Sequence, residues 1–591
     1  MEPSTLGVLV LETARGERTY WLAARGEPEH EPPVLDWRTA PLADPFFRTA
    51  PGEPYVVDAG ERSLEGRVIA RSLVIRGELV GEHARPRPAP PPGPATQRAL
   101  LPVLDADQQR AVDLADDVSL VVDGEAGVGK TLVALYRVAA LARRAHEQRR
   151  RFRALVLVPT EGLRRLVSLL AERLEIPRLE IATIESWLVE RARQAFPGLP
   201  ERTSDGARAQ VIALKRHPAV RAVLGAVKKQ RKPRRFLLHL FGERVLLERV
   251  AAAAQLPARA VAETLAHTRA QFESTTERAN RHVDADRLVA LDGRRLDAGT
   301  PAEDAESFDA EDAPVLFELA RRGALAVAPG LASYDHIVVD EAQLRAPMEL
   351  AAIGDALVRP CAPPDGGAAR SGGAGPYSGG TVTLAGDHRQ ATDDTAYFTG
   401  WPAARGELPV PAGAWHDITL AVSYRSVPAI ADFARAPHVP SEPPPDPAVW
   451  ATACSGPFEQ AAALCWHLAA LVARDPWRQI AVIARTPEHA RRLHGELARG
   501  VDPELVLDGD FRFQPGIVVT TAAAVAGLEF DAVVIPDLTP AFYPATPELA
   551  RALYVAATRA RDWLWLVTPD AWSPLIDPPD SSRPDPASPR S

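Results

Sequence analysis

The sequence predicts an α/β protein built on parallel sheets, and three observations carry that expectation. An apolar run at Val118 to Val122 enters a glycine-rich turn ending in Gly129, Lys130 and Thr131, and LVALYRVAALARR follows with helical spacing. Further short apolar runs, RFRALVLVPT, HIVV, TVTLAG, QIAVIAR, GIVVTT, DAVVIP and WLWLVT, alternate with helical stretches, as the strands of a buried parallel sheet do. These runs fall into two blocks, the second opening near Asp417 with DITLAVSYRS.

The glycine turn is the most informative stretch. Gly124, Glu125, Ala126, Gly127, Val128 and Gly129 run directly into Lys130 and Thr131. Glycines let consecutive backbone N–H groups converge on one anion, and the helix that follows adds the positive end of its dipole. In such a loop Lys130 reaches the β- and γ-phosphates of a nucleoside triphosphate, and Thr131 offers its hydroxyl to Mg²⁺.

Composition narrows the class. The 591 residues are 46% apolar and 25% charged, with a net charge of −9, so nucleic-acid contact has to rest on local basic patches. Cys361, Cys454 and Cys465 lack metal-ligand spacing, which fits a reducing cytoplasm. No basic leader precedes the first apolar run, and no stretch is long enough to span a bilayer.

In chain order, residues 1–83 read as a β-rich N-terminal domain with strands at LGVLVLE, TYWLAA, PYVVDA and RSLVIRGELVG. Trp37, Phe46 and Phe47 read as core side chains. Residues 84–100 form a proline-rich linker. Residues 101–190 and 331–410 make the first α/β domain, which starts with a helix entry with an Asp cap at LDADQQRAV, 104–112, and includes a third strand at LEIATIESW. Residues 191–330 are a helical insertion. It carries KKQRKPRR at 228–235, read either as a solvated face or as a contact for phosphate or an acidic partner. An acidic stretch at 296–313 reads as a mobile loop, and residues 361–380 as a flexible insert. Residues 411–572 make the second α/β domain, with a helix over 550–561 carrying Arg559, and 573–591 a disordered tail.

Two further motifs belong with the glycine turn. Ile337 to Val339 is an apolar strand that delivers Asp340 and Glu341 at its carboxyl end, where doubly wound sheets do their chemistry. Asp340 would hold Mg²⁺, and Glu341 would position and deprotonate an attacking water. TVTLAGDHRQ ends in Gln390, placed to sense a γ-phosphate from an adjacent strand.

The ordered series QQRAV, GEAGVGKT, LVPT, VVDEAQ, AGDHRQ, SYRS, GLEFD and YVAATRAR, over residues 104–567, resembles the UvrD/Rep group of superfamily-one helicases. The resemblance implies two RecA-like P-loop domains with parallel sheets, a helical insertion in the first, and ATP bound between the domains. It implies that Gln108 reads the adenine edge, Tyr424 stacks on the ring and Glu529 touches the ribose. Gln390 would link the γ-phosphate to domain closure, and Arg425 and Arg559 would act as arginine fingers, the alternative for each being a salt bridge. The segment PPVLDWRTAPLADPFFRTAPGEP is similar to the one before the helicase core of HelD-type proteins, the RNA-polymerase-associated branch.

Departures from the family pattern point to weaker strand coupling. Ala526 stands where a lysine is usual before GLEF, and Ala523 and Ala524 replace polar residues. Asp393 and Asp394 follow Gln390 where the family presents stacking aromatics, and acidic groups there would repel a phosphate backbone. The leading expectation is an ATP-hydrolysing motor that acts on nucleic acid or on RNA polymerase. The alternatives are a 3′-to-5′ single-strand DNA helicase, and a scaffold switched by ATP.

Overall fold

The computed structural model describes residues 5–82, 104–272, 307–358, 379–420, 427–437 and 448–576, apart from gaps at 15, 60–61, 76–77, 126, 177, 204–206, 228–231, 392, 513 and 526. The linker 84–100, the insert up to 378, and Ala126, Tyr424, Arg425 and Ala526 therefore lie outside the described residues. Two compact units divide the chain: Met1–Pro102 with Ser423–Ser591, and Val103–Val422. Among the described residues, no helix is long and apolar enough to cross a membrane.

The chain opens with a sheet of β1 (Thr5–Thr13), β2 (Gly16–Ala23), β3 (Val34–Asp36), β4 (Pro54–Ala59), β5 (Arg62–Ile75) and β6 (Glu78–Glu82). The strand order is β3-β2-β1-β5-β4, with β6 paired to β5. Alternation sets its buried face: Leu9 and Leu11 of β1 are fully buried while Val8 and Val10 are half-buried.

The unit Val103–Val422 holds a six-stranded parallel sheet. Its strands are β7 (Ser119–Gly124), β8 (Ala154–Val158), β9 (Leu179–Thr183), β12 (His336–Val339), β13 (Thr381–Gly386) and β14 (Trp415–Leu420), in the order β14-β7-β13-β12-β8-β9. A pair of two-residue strands, β10 (Arg202–Thr203) and β11 (Ser307–Phe308), lies apart from it. Strands β8 and β12 are buried along their whole length, as parallel strands covered on both faces must be. The helix Ala106–Asp113 starts at Asp105, whose carboxylate accepts from the Asp107 and Gln108 amides, while the Gln108 side chain accepts from the Asp105 amide. The LEIATIESW run splits: β9 ends at Thr183, and the Thr183 hydroxyl caps a helix from Ile184.

Two expectations need correction here. The strand at Trp415–Leu420, expected to open the second block, pairs in parallel with β7 and completes the first sheet. The apolar alternation that makes a strand says nothing of its neighbour, and β7 offered a free edge. The acidic stretch, expected as a mobile loop, is packed where it is described, from 307 onward. Asp309 and Asp312 are fully buried, 2.6 and 2.9 Å from the equally buried Lys215. The insertion also shares one continuous apolar core with the sheet, from Phe236 and Phe308 through Phe317 to Ile337 and Leu384.

The second parallel sheet contains β15 (Val449–Ala453), β16 (Gln479–Ala484), β17 (Pro503–Leu505), β18 (Gly516–Thr521), β19 (Phe530–Ile535) and β20 (Ala560–Thr568) in the order β15-β20-β19-β16-β18-β17. The N-terminal sheet joins its core. Trp37, Phe46 and Phe47 are buried, as the sequence suggests, and Phe46 packs on Trp466 with ring centroids 5.0 Å apart. Arg71 also lies over Trp466, 4.6 Å from its ring, and donates to Phe46 O. Arg48 donates to Ala498 O and Arg499 O, carbonyls left open where the helix Pro487–Leu497 ends. The expected disordered tail starts too early at 573. Ser573 donates to Tyr543 O and Ile576 is buried, so the fold continues to at least Ile576.

The architecture is therefore α/β, with two RecA-like parallel-sheet domains, a helical insertion in the first, and a small β-rich N-terminal domain.

Two predictions test this packing. Phe46→Ala should lower the unfolding free energy by about 3–5 kcal/mol, the usual cost of a buried phenylalanine, as read by urea denaturation. A loss below about 1 kcal/mol would contradict a shared core. His336 is fully buried on β12, with Nδ1 2.8 Å from Thr381 Oγ1 and Nε2 3.1 Å from Thr383 Oγ1. Burial, with the Arg137 charge, holds its pKa well below the ordinary value. The folded protein therefore keeps this ring neutral while the unfolded chain protonates near pH 6.5, so its stabilisation is present above that pH and lost below it. Stability should therefore fall as the pH drops below 6.5, as read by urea denaturation, and His336→Gln should flatten that share of the pH slope.

Candidate functional site

The loop after β7 turns through two glycines with positive φ, Gly127 at 82° and Gly129 at 84°. At Gly129 a side chain is excluded twice, by that φ and because a Cβ would sit 2.8 Å from Gln108 Nε2. Gln108 is buried and donates from Nε2 to Val128 O at 2.8 Å. Both ends of its amide are thus engaged, one on the helix cap and one on the loop. Reading an adenine edge would require it to exchange a partner. Lys130 opens the helix Lys130–Glu147, and its ammonium folds back under the loop to donate to Gly124 O and Glu125 O at 2.8 and 2.9 Å. Glu125 is ion-paired across to Arg389 at 2.6 Å.

The carboxylates come from β12. Strand β13 lies between β7 and β12, yet Thr131 Oγ1 reaches past it to donate to Asp340 Oδ2 at 2.6 Å. Asp340 is 1% exposed. Burial, then the neighbouring Glu341 charge, pushes its pKa up to about 6 against the pull of Thr131 and Lys130. Glu341 adopts a left-handed backbone (φ 50°, ψ 44°), a strained state costing about 1–3 kcal/mol for a residue with a Cβ. Its Oε2 accepts from Gln343 Nε2 at 2.6 Å, and Gln343 Oε1 in turn accepts from the Asp387 amide. Gln390 donates to the buried Asp387 at 3.0 Å.

Lys130, Thr131, Asp340, Glu341 and Gln390 thus lie at the carboxyl edge of one parallel sheet. The hydroxyl of Thr131 and the carboxylate of Asp340 form a hard-oxygen donor pair beside a second buried acid, which suits Mg²⁺. The loop, the helix start and the Lys130 ammonium suit a polyphosphate.

Other expected site residues lie in the unit that contains Ser423–Ser591. Arg559 follows the helix Pro547–Ala557 rather than lying on it, and is 3% exposed. Its guanidinium donates to Val555 O and Leu528 O at 3.0 and 3.3 Å. It holds the GLEF turn to the end of the helix, so engaging a phosphate would require it to leave those carbonyls. Glu529 is half-buried beside that turn. Asp393 is not the open repulsive charge expected from its position, because Arg216 of the insertion binds it at 2.6 Å. That pairing joins residues far apart in the chain.

Gln343 and Gly386 were not assigned a role from the sequence. Gln343 stands two residues after Glu341 within DEAQ, which was the available signal. Gly386 ends β13, and a Cβ there would lie 2.1 Å from Gln343 Oε1. Gly386→Ala should therefore displace Gln343 from Glu341 and destabilise the unit by about 1–3 kcal/mol, an overpacking cost measurable by thermal unfolding.

Comparison with known proteins bears on the second sheet. Residues 516–567, from β18 through β20, match the family described as UvrD-like helicase C-terminal domain. Among solved structures, the C-terminal domain of a possible DNA helicase from Lactobacillus plantarum WCFS1 is similar at 25% identity. The match covers 27% of this chain and 100% of that one, with a TM-score of 0.23. No curated protein matches the chain. The β18 to β20 segment is thus similar to a UvrD-like helicase C-terminal domain, and it is this segment that supports a helicase of UvrD type.

Proposed function

We propose that the chain is an ATP-hydrolysing helicase-like motor of the UvrD/Rep group, closest to the HelD branch, acting on nucleic acid or on RNA polymerase. The observation that carries the hydrolytic part is the 2.6 Å bond from Thr131 to Asp340, with Glu341 beside it and Lys130 under the glycine loop. On this reading the loop amides and Lys130 hold the β- and γ-phosphates. Thr131 and Asp340 hold Mg²⁺, which when bound neutralises charge on the phosphate oxygens. Glu341, oriented by Gln343, accepts a proton from the attacking water. Gln390 reports the γ-phosphate through Asp387 and Gln343 to Glu341.

Two features favour the HelD branch over repair helicases. The connection from β16 to β18 is filled by the helix Pro487–Leu497 and the short β17, where UvrD and Rep insert a large accessory domain. The segment around Trp37, Phe46 and Phe47, which resembles the HelD pattern, supplies the side chains that anchor the N-terminal sheet. A second reading, an ATP-switched scaffold without unwinding, draws on Ala523 and Ala524 after β18, which offer a strand no polar group.

Steady-state ATP turnover, measured alone and with single-stranded DNA, RNA or purified RNA polymerase, tests the proposal. Lys130→Ala and Glu341→Gln should each cut turnover about 100-fold or more. Near-normal turnover in either would refute the site. Strong DNA stimulation with directional unwinding would favour the repair-helicase reading over the HelD one. Tight ATP binding without turnover would favour the switch.

A further inference from the structure

Arg216 ends the insertion helix Ala209–Arg216 and is 8% exposed. Its neighbour Lys215 turns inward to Asp309 and Asp312, deep in the insertion. Arg216 turns the other way. Nη2 donates to Leu344 O and Glu349 Oε2, both at 3.1 Å, and Nη1 donates to Asp393 Oδ2 at 2.6 Å and Thr395 Oγ1 at 2.7 Å.

These partners sit on two turns and the start of one helix. Leu344 closes the short turn Ala342–Leu344 that carries Gln343, directly after Glu341. Glu349 caps the next helix, Pro347–Gly354, by accepting from the Ala346 amide. Asp393 and Thr395 form the turn three to five residues after Gln390. That second turn is held to the same insertion helix again, by Tyr397 Oη donating to Ala213 O at 2.8 Å and by the Tyr397 ring set edge-on to His217. Tyr397 adopts a left-handed backbone at φ 51°, a strain that these contacts maintain. One guanidinium thus spans the segments following both Glu341 and Gln390.

We propose that Arg216 is a positioning residue for ATP hydrolysis, through which the helical insertion sets the spacing of Glu341 and Gln390. The inference rests on the hydrolytic reading of the site. Burial opposes the Arg216 charge, but Glu349 and then Asp393 outweigh it and hold its pKa above the ordinary arginine value, so it stays charged. A guanidinium suits this place because its two terminal nitrogens serve the two segments separately, Nη2 the Leu344 carbonyl and Glu349, Nη1 Asp393 and Thr395. The two turns are otherwise far apart in sequence, and any partner that moves the insertion would move both together.

The test compares kcat and KM for ATP in Arg216→Gln, Arg216→Lys and Asp393→Asn, with affinity for a non-hydrolysable ATP analogue and the thermal midpoint. Arg216→Gln should lower kcat about tenfold or more while KM and analogue affinity stay within about threefold, since misplacing a reacting group costs rate before binding. Arg216→Lys should recover only part of the loss. Asp393→Asn, which leaves the Glu349 pair in place, should lower kcat by about threefold and tests the same idea if Arg216→Gln does not fold. Unchanged kcat in folded variants would overturn the positioning role, as would kcat and analogue affinity falling in parallel with the thermal midpoint. Lys130→Ala, measured alongside, separates the two levels. If Lys130→Ala abolishes turnover and Arg216→Gln leaves kcat unchanged, the hydrolytic site stands and the role of Arg216 falls. Absence of wild-type turnover would count against both.

Discussion

The hydrogen bond from Thr131 to Asp340 depends on the register of three neighbouring parallel strands. The threonine belongs to the helix after β7, the aspartate follows β12, and β13 lies between them. The pairing is in register throughout, Gly386 opposite Asp123 and Val339 opposite Leu384. A slip of one residue in either ladder would turn every side chain to the other face and part the hydroxyl from the carboxylate. The absence of a side chain at Gly386 lets Gln343 pass over the end of the middle strand and reach Glu341. Backbone register therefore sets the geometry on which the candidate chemistry depends.

Burying charge in this unit demands partners. Lys215 with Asp309 and Asp312 is fully removed from water, and Arg216 with Glu349 nearly so. Such clusters are weak sources of stability, because desolvation offsets most of the attraction. Removing one member is costly, since the other is left buried and unpaired. The Lys215 cluster ties parts of the insertion to one another, whereas the Arg216 pairs tie the insertion to the segments after Glu341 and Gln390. The apolar core is continuous across that junction, so the insertion and the sheet behave as one packed body.

The other unit is organised by aromatic packing. Phe46, Phe47 and Trp37 of the N-terminal segment meet Trp466, Trp565 and the apolar faces of β16 and β18 in one core. Arg48 donates to Ala498 O and Arg499 O at a helix end that would otherwise expose carbonyls, and the Arg499 guanidinium reaches back to Asp44. The family likeness over residues 516–567 falls in this same body, on strands whose inner faces the N-terminal sheet helps to cover.

The sequence by itself determined what is local. A glycine at positive φ, a capping aspartate, an apolar run of strand length and two acids at its end are written in a few adjacent residues, and Lys130, Thr131, Asp340 and Glu341 were legible for that reason. The tertiary structure decided what depends on meeting a distant partner. It placed Trp415–Leu420 beside β7, sank Asp309 against Lys215 across 94 residues of chain, and turned Arg559 onto Leu528 O. It also engaged both ends of the Gln108 amide and revealed Arg216 between two turns. Hydrophobic periodicity reports whether a residue faces inward. Which charge or edge it meets there is set by packing between segments, and no local pattern encodes that.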